Sequence, residues 1–243
     1  MNIITKLRQI NLVLNNINQV RFNEDIYCLH LINRIMHNGN YLPFSNMSIR
    51  PFVLAFLMNE IIVNERRSII EFGAGVSTIM MARLAKMNNI QLDIVSVEED
   101  ESWMNIVKGI LDREGLSANI VLIHVPLEKK ILQGFENHWY QMDILKRKLD
   151  PSKTFDLVLI DGPTACHKQI ALSRYFALPF LKDALREKHI IFLDDANRIG
   201  EQQIMELWKQ ELGTHFKIYA ETLGICYVGE NYESNPLKTV SIQ

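Results

Sequence analysis

The sequence predicts an α/β fold built on a parallel sheet, and three observations carry that expectation. After Arg67 short β-branched runs alternate with helix-length amphipathic segments, the pattern of successive βαβ units. One of those runs, Ile69-Ile70-Glu71-Phe72, leads straight into a glycine turn, Gly73-Ala74-Gly75, and then into a helix opening with Ser77 and Thr78. The last two runs, Phe216–Ala220 and Gly224–Val228, lie close enough together to form an antiparallel hairpin.

Taken in order, apolar residues recur at helical spacing from Ile3 to about His37, which gives one long or two shorter amphipathic helices. Asn, Ser, Gly and Pro between His37 and Pro51 mark a loop, and Pro51 suits the first turn of a further helix. Strands are expected at Ser68–Phe72, Asp93–Val97, Ile120–His124, Phe155–Ile160 and His189–Leu193, with helices at about Thr78–Lys86, Glu101–Glu114, Lys168–Leu185 and Arg198–Leu212. The segment Leu127–Pro151 is the least regular: Trp139, Tyr140 and Lys146-Arg147-Lys148 suit either a solvated helix face over two packed aromatics or a cover over a ligand cleft. The organisation is thus an N-terminal helical extension, 1–66, and an α/β domain, 67–243.

Composition narrows the function. A chain of 243 residues, 48% hydrophobic and 22% charged, can bury a sizeable core without disulfides. A formal charge of −2 supplies no field to attract a polyanion, so nucleic acid is not expected as a partner. Cys28, Cys166 and Cys226 are too widely spaced for zinc or dithiol chemistry and read as reduced thiols. Polar residues interrupt every apolar stretch of the N-terminus, and no window resembles a membrane span, so a cytoplasmic protein is expected.

The glycine turn holds the chemistry. Gly73 and Gly75 permit a sharp turn and let a ligand approach main-chain atoms, although an ordinary strand-to-helix connection would look the same. Glu71 at the strand tip suits a cationic ligand group and disfavours a pyrophosphate, and Thr78 stands where a dinucleotide site has its third glycine. One βα unit later Glu98 ends a strand, where an acid can accept both hydrogen bonds of a ribose diol; alternatively it is one of four acids opening a helix.

These features, with Phe155–Pro163 (FDLVLIDGP) and Ile191-Phe192-Leu193-Asp194-Asp195, resemble the class I S-adenosylmethionine-dependent methyltransferases, closest to small-molecule and sugar O-methyltransferases. The resemblance runs from about Arg67 to Gly229 and implies a Rossmann-like, seven-stranded, mostly parallel sheet with helices on both faces and one antiparallel strand near the end. It implies that Glu71, Gly73, Gly75, Ser77 and Thr78 surround the methionine end of S-adenosylmethionine, with Ser77 where the family often has glycine. It likewise implies that Glu98 holds the ribose, Pro126 and Leu127 flank the adenine, and Asp161 lies near the sulfonium and the acceptor.

Asp161, Asp194 and Asp195 sit at the ends of neighbouring strands, and three converging carboxylates invite a hard divalent cation such as Mg2+. They match positions that bind such an ion in metal-dependent relatives; otherwise they shape the Asp-Gly-Pro turn and cap the following helix. Pro163 replaces an acid that some of those relatives use as a base, which leaves His167 or His124 as candidates. The expectation is methyl transfer to a hydroxyl of a small molecule or sugar, by a chain that the N-terminal helices could make a homodimer. The rivals are a nitrogen- or protein-directed methyltransferase, an NAD(P)-binding oxidoreductase and a catalytically silent nucleotide-binding module.

Overall fold

A computed structural model describes the backbone of residues 3–45 and 47–237, and side-chain environments from residue 16 onward. The N-terminal pattern forms one helix, α1 (Ile3–Met36); the packing of Ile10, Leu12, Val13 and Leu14 lies outside the described side chains. A loop leads to α2 (Pro51–Val63), which opens on Pro51 and buries residues on every side, as a helix enclosed in a core must. Then follow β1 (Ser68–Phe72), α3 (Val76–Asn88), β2 (Asp93–Glu98), α4 (Glu101–Glu114) and β3 (Ile120–His124). After the hairpin β4 (Leu127–Leu132) and β5 (Phe135–Tyr140) come α5 (Met142–Lys148), β6 (Phe155–Ile160), α6 (Ala177–Leu181), β7 (Leu185–Leu193), α7 (Ile199–Leu212), β8 (Lys217–Tyr219) and β9 (Leu223–Val228).

Seven strands form one sheet in the order β3-β2-β1-β6-β7-β9-β8, with only β9 running against its neighbours. Both faces are covered, so the central strands are buried almost throughout and mostly apolar. Ile69, Leu157, Leu159 and Phe192 join the core shared with α1, α2 and α3. Ile70, Phe72, Val158 and Leu193 join the core beneath β5, α6 and α7. The N-terminal helices thus share one core with the sheet: Cys28, Ile32 and Ile35 of α1 and Phe52–Met58 of α2 are buried in it. Val20, Phe22 and Ile26 on the other side of α1 are exposed.

Two stretches differ from expectation. The helix expected over Lys168–Leu185 is instead a pair of 3-10 turns (Lys168–Ile170 and Ser173–Phe176) followed by the short α6, and β7 begins at Leu185. Pro179 has no N–H for the Tyr175 carbonyl one turn earlier, and that carbonyl accepts from the Trp208 indole at 2.8 Å instead. The Leu127–Pro151 segment is a β-hairpin plus a single helix. Its two-residue turn, Gln133-Gly134, has positive φ at both positions, the geometry that tight hairpins need. Trp139 and Tyr140 are fully buried, while Lys146, Arg147 and Lys148 lie exposed on α5.

Among the described residues no helix is long and apolar enough to cross a membrane. The three cysteines are free, with Cys28 and Cys226 buried and Cys166 exposed.

Candidate active site at the strand tips

Register decides what meets at the C-terminal edge of the sheet. Phe72 pairs with Val97 on one side and Ile160 on the other, and Ile160 pairs with Leu193. Hence Glu98, Gly73, Asp161 and Asp194 fall in one row along adjacent strand ends, and His124 continues it as the partner of Glu98. The chain leaves β1 toward α3 on one face and leaves β6 toward α6 on the other, so the crevice position of this sheet lies where these connections diverge, at the touching backbones of Gly73 and Gly162. Such a divergence is where open α/β sheets bind ligands.

The glycine turn forms one wall. Gly73 has φ +94 and lies so close to the β6 loop that a Cβ would meet the Gly162 nitrogen at 2.8 Å. At Gly75 the nearest atom to a Cβ would be the Trp103 indole nitrogen, 4.0 Å away, so its own neighbours leave space there. Trp103 Nε1 donates to the Ala74 carbonyl at 2.7 Å and pins the start of α4 against the turn.

Glu71 is fully enclosed. The hydroxyls of Ser77, Thr78 and Ser96 all donate to its carboxylate, and Thr78 Oγ1 accepts from the Gly75 N–H at 3.0 Å. Burial pushes this carboxyl above its ordinary value, opposed by the three hydroxyls. Glu71, Ser77 and Thr78 therefore act on one another and fix the shape of the turn, at a carboxylate with no surface exposed.

Glu98 ends β2 and is buried; Asp100, not Glu98, caps α4 by accepting from the Trp103 N–H. Its oxygens accept from the main-chain N–H of Ala74 at 2.9 Å and of Asp100 at 2.8 Å. Burial, reinforced by the neighbouring charge of Glu99, pushes its carboxyl up to about 8. Glu99 reaches across the crevice: one oxygen accepts from the Thr164 N–H at 3.1 Å and the other from the Tyr140 hydroxyl at 3.2 Å. Pro126 follows β3, and Leu127 begins β4 at the base of the hairpin, both half-buried.

On the far side of the crevice Asp161, Asp194 and Asp195 come together, each offering a carboxylate oxygen within 4.8 Å of the others. Burial raises Asp161 to about 6 against the pull of Arg174, and raises Asp194 to about 8 with help from the charges of Asp161 and Asp195. Asp195 sits at φ +59 and pairs with Arg198 at 2.9 Å, while α7 starts at Ile199 with Arg198 before it and no side-chain cap. Capping therefore does not account for either aspartate. His167 is exposed in the loop after β6, and His124 Nε2 lies 3.2 Å from the Glu99 carbonyl.

Arg174 was not among the residues singled out from the sequence, where it is one cation within an expected helix. In the fold its buried guanidinium lies among the acids, 3.5 Å from Asp161, 3.2 Å from Asp195 and 3.4 Å from Glu201. The sequence offers Tyr140 only as part of a segment that packs or covers a cleft and Glu99 only as one of four acids opening a helix; the tertiary fold joins them at the crevice. A cavity of about 520 Å³ at the opposite edge of the sheet, lined by Lys86, Asn89, Gln91 and Asn119 among others, contains none of these carboxylates.

A methyltransferase domain family model matches residues 70–196, just over half of the chain, from β1 through the aspartates after β7. No curated protein is significantly similar in sequence. Among solved structures, the O-methyltransferase from Bacillus cereus in complex with SAH has a TM-score of 0.56 at 17% identity, covering 85% of this chain and 91% of its own. The SAH-bound methyltransferase PaMTH1 from Podospora anserina gives 0.56 at 12%, covering 85% and 88%. The O-methyltransferase TomG from Streptomyces achromogenes, in complex with SAM, gives 0.52 at 14%, covering 84% and 90%. With the sheet order, the glycine turn and the family match in agreement, the chain belongs to the class I S-adenosylmethionine-dependent methyltransferases.

Proposed function

We propose that this chain transfers a methyl group from S-adenosylmethionine to a hydroxyl of a small molecule or sugar, assisted by a divalent cation such as Mg2+. The observation that carries the proposal is the single row of Glu98, Gly73, Asp161 and Asp194 along the crevice: a glycine turn with space at Gly75 lies on one side and three converging aspartates on the other. The SAM- and SAH-bound structures of similar fold support the choice of cofactor.

The proposed roles follow from the residues. S-adenosylmethionine supplies an electrophilic methyl group, so the protein's work is mainly to position and to stabilise charge. Glu98, held by two main-chain N–H groups, keeps lone pairs for the ribose hydroxyls. Pro126 and Leu127 flank the adenine, and the turn over Gly73 to Gly75 accepts the methionine end. The set Asp161, Asp194 and Asp195 is all oxygen, which suits Mg2+, and its oxygens are close enough to share one ion. An ion held there would stabilise the acceptor oxygen as it loses its proton. Asp161 borders both halves of the crevice, and His167 is the candidate to take the proton.

Two titrations test this. S-adenosylhomocysteine should release or absorb heat on binding while NAD does not; the reverse result would leave the oxidoreductase rival standing. Magnesium should raise the melting temperature of the wild type more than that of Asp194→Ala, and an equal response would remove the metal from the proposal.

A further inference from the structure

The acids at the tips of β6 and β7 are not free to arrange themselves. Arg174 Nη2 lies 3.5 Å from Asp161 Oδ1, and Nη1 lies 3.2 Å from Asp195 Oδ2. The same Nη1 donates to the Asp194 carbonyl at 3.1 Å, and Nε donates to the Pro163 carbonyl at 3.3 Å. One guanidinium, its side chain 4% exposed, thus ties both loops and two of the three aspartates. Arg198 holds Asp195 through the same Oδ2 at 2.9 Å. These pairs are made through Oδ1 of Asp161 and Oδ2 of Asp195, and neither arginine forms an ion pair with the Asp194 carboxylate.

Charge points the same way. With all four acids ionised, as a bound cation requires of its ligands, Asp161, Asp194, Asp195 and Glu201 outnumber Arg174 and Arg198 by two formal charges. An arginine that merely neutralised the cluster would leave that excess uncompensated, and a divalent cation would balance it. Lysine could not do the same job, because a single ammonium cannot span two carboxylates and two carbonyls as the planar fork does.

We infer that Arg174 is the positioning residue of a divalent-cation site: it occupies one oxygen each of Asp161 and Asp195 so that the remaining oxygens, with Asp194, are presented together to the ion. This inference rests on the proposed metal, and its test keeps the two apart. Mn2+ titrated into the protein and followed by the loss of the free-ion EPR signal should show one site in the wild type. Arg174→Lys and Arg174→Met should weaken that site by about tenfold to a hundredfold, the range for partners that orient metal ligands. The lysine variant keeps the charge, so its loss reports the fork and not the charge. Binding of S-adenosylhomocysteine serves as the check that each variant is folded. Arg198→Met, at a half-exposed side chain, provides a milder variant with a smaller loss in the same direction. If folded Arg174 variants bind Mn2+ as tightly as the wild type or more tightly, the arginine competes for the site and the inference is overturned. If the wild type binds no Mn2+, the metal proposal falls and takes the inference with it, whatever the variants do.

Discussion

Two clusters of buried carboxylates stand on opposite sides of the crevice, and they are satisfied in different ways. Glu71 meets three hydroxyls and no cation, while Asp161 and Asp195, beside Asp194, pair with two guanidiniums. Hydroxyls hydrogen-bond a buried acid without adding charge, so the Glu71 cluster is complete in itself and works as a brace for the glycine turn. Guanidiniums leave the second cluster charged and incompletely balanced, which makes it a place for a further cation. Position along a strand tip therefore does not assign a role to an acid; its partners do.

The sharpest way to break this contrast is Glu71→Ala. It leaves three buried hydroxyls without their acceptor and should cost about 3 kcal/mol or more in denaturant unfolding. Glu71→Gln, which keeps shape and an acceptor, should cost far less. A brace that can be removed for under about 1 kcal/mol is not a brace. Glu98→Ala should act on the ligand instead, weakening S-adenosylhomocysteine binding by about 1.5 to 3 kcal/mol, the worth of hydrogen bonds to a charged group; unchanged affinity by calorimetry would take Glu98 out of the site. Gly73→Ala should destabilise the fold by about 1 to 3 kcal/mol because it combines a positive φ with a clash against the β6 loop. A melting temperature within error of the wild type would show that the two loops can separate.

A separate test concerns pH. The Asp194 carboxyl is raised from 3.8 to about 8, so as pH climbs the unfolded chain gives up this proton before the folded one does. Its contribution to stability is complete below the lower value and is lost progressively up to the higher. Without a divalent ion, Asp194→Asn should therefore gain on the wild type in melting temperature between pH 5 and pH 8. A constant gap over that range would mean that Asp194 is not held protonated. Arg174 and Arg198 keep the remaining acids of the same cluster partly in check, so the slope should flatten without vanishing.

Much of this was legible in the order of the residues. Local patterning marked the five parallel strands, because each reads as a short apolar run and β1, β2, β6 and the end of β7 are buried on both faces. The glycine turn, Glu98 and the strand-end aspartates were visible because their neighbours in sequence are the strand ends that position them. The segment Lys168–Leu185 has helical apolar spacing but folds as two 3-10 turns and a short helix, because Pro179 offers no N–H to the Tyr175 carbonyl, which Trp208 takes instead. Leu127–Pro151 reads as irregular because Gln133-Gly134 is a weak hairpin signal, while the fold makes it a hairpin and a helix with Trp139 and Tyr140 buried against the sheet.

The sequence by itself determined an α/β sheet, the order of its strands along the chain and which acids end them. Tertiary structure alone decided how those acids are spent. Hydrogen bonds and ion pairs over long separations enclose Glu71 in hydroxyls, bring Glu99 to Thr164, 65 residues away, and seat Arg174 among aspartates 13 and 21 residues distant. Periodicity reports which face of an element is buried, whereas the state of a buried charge depends on the partners that the fold brings within a few ångströms.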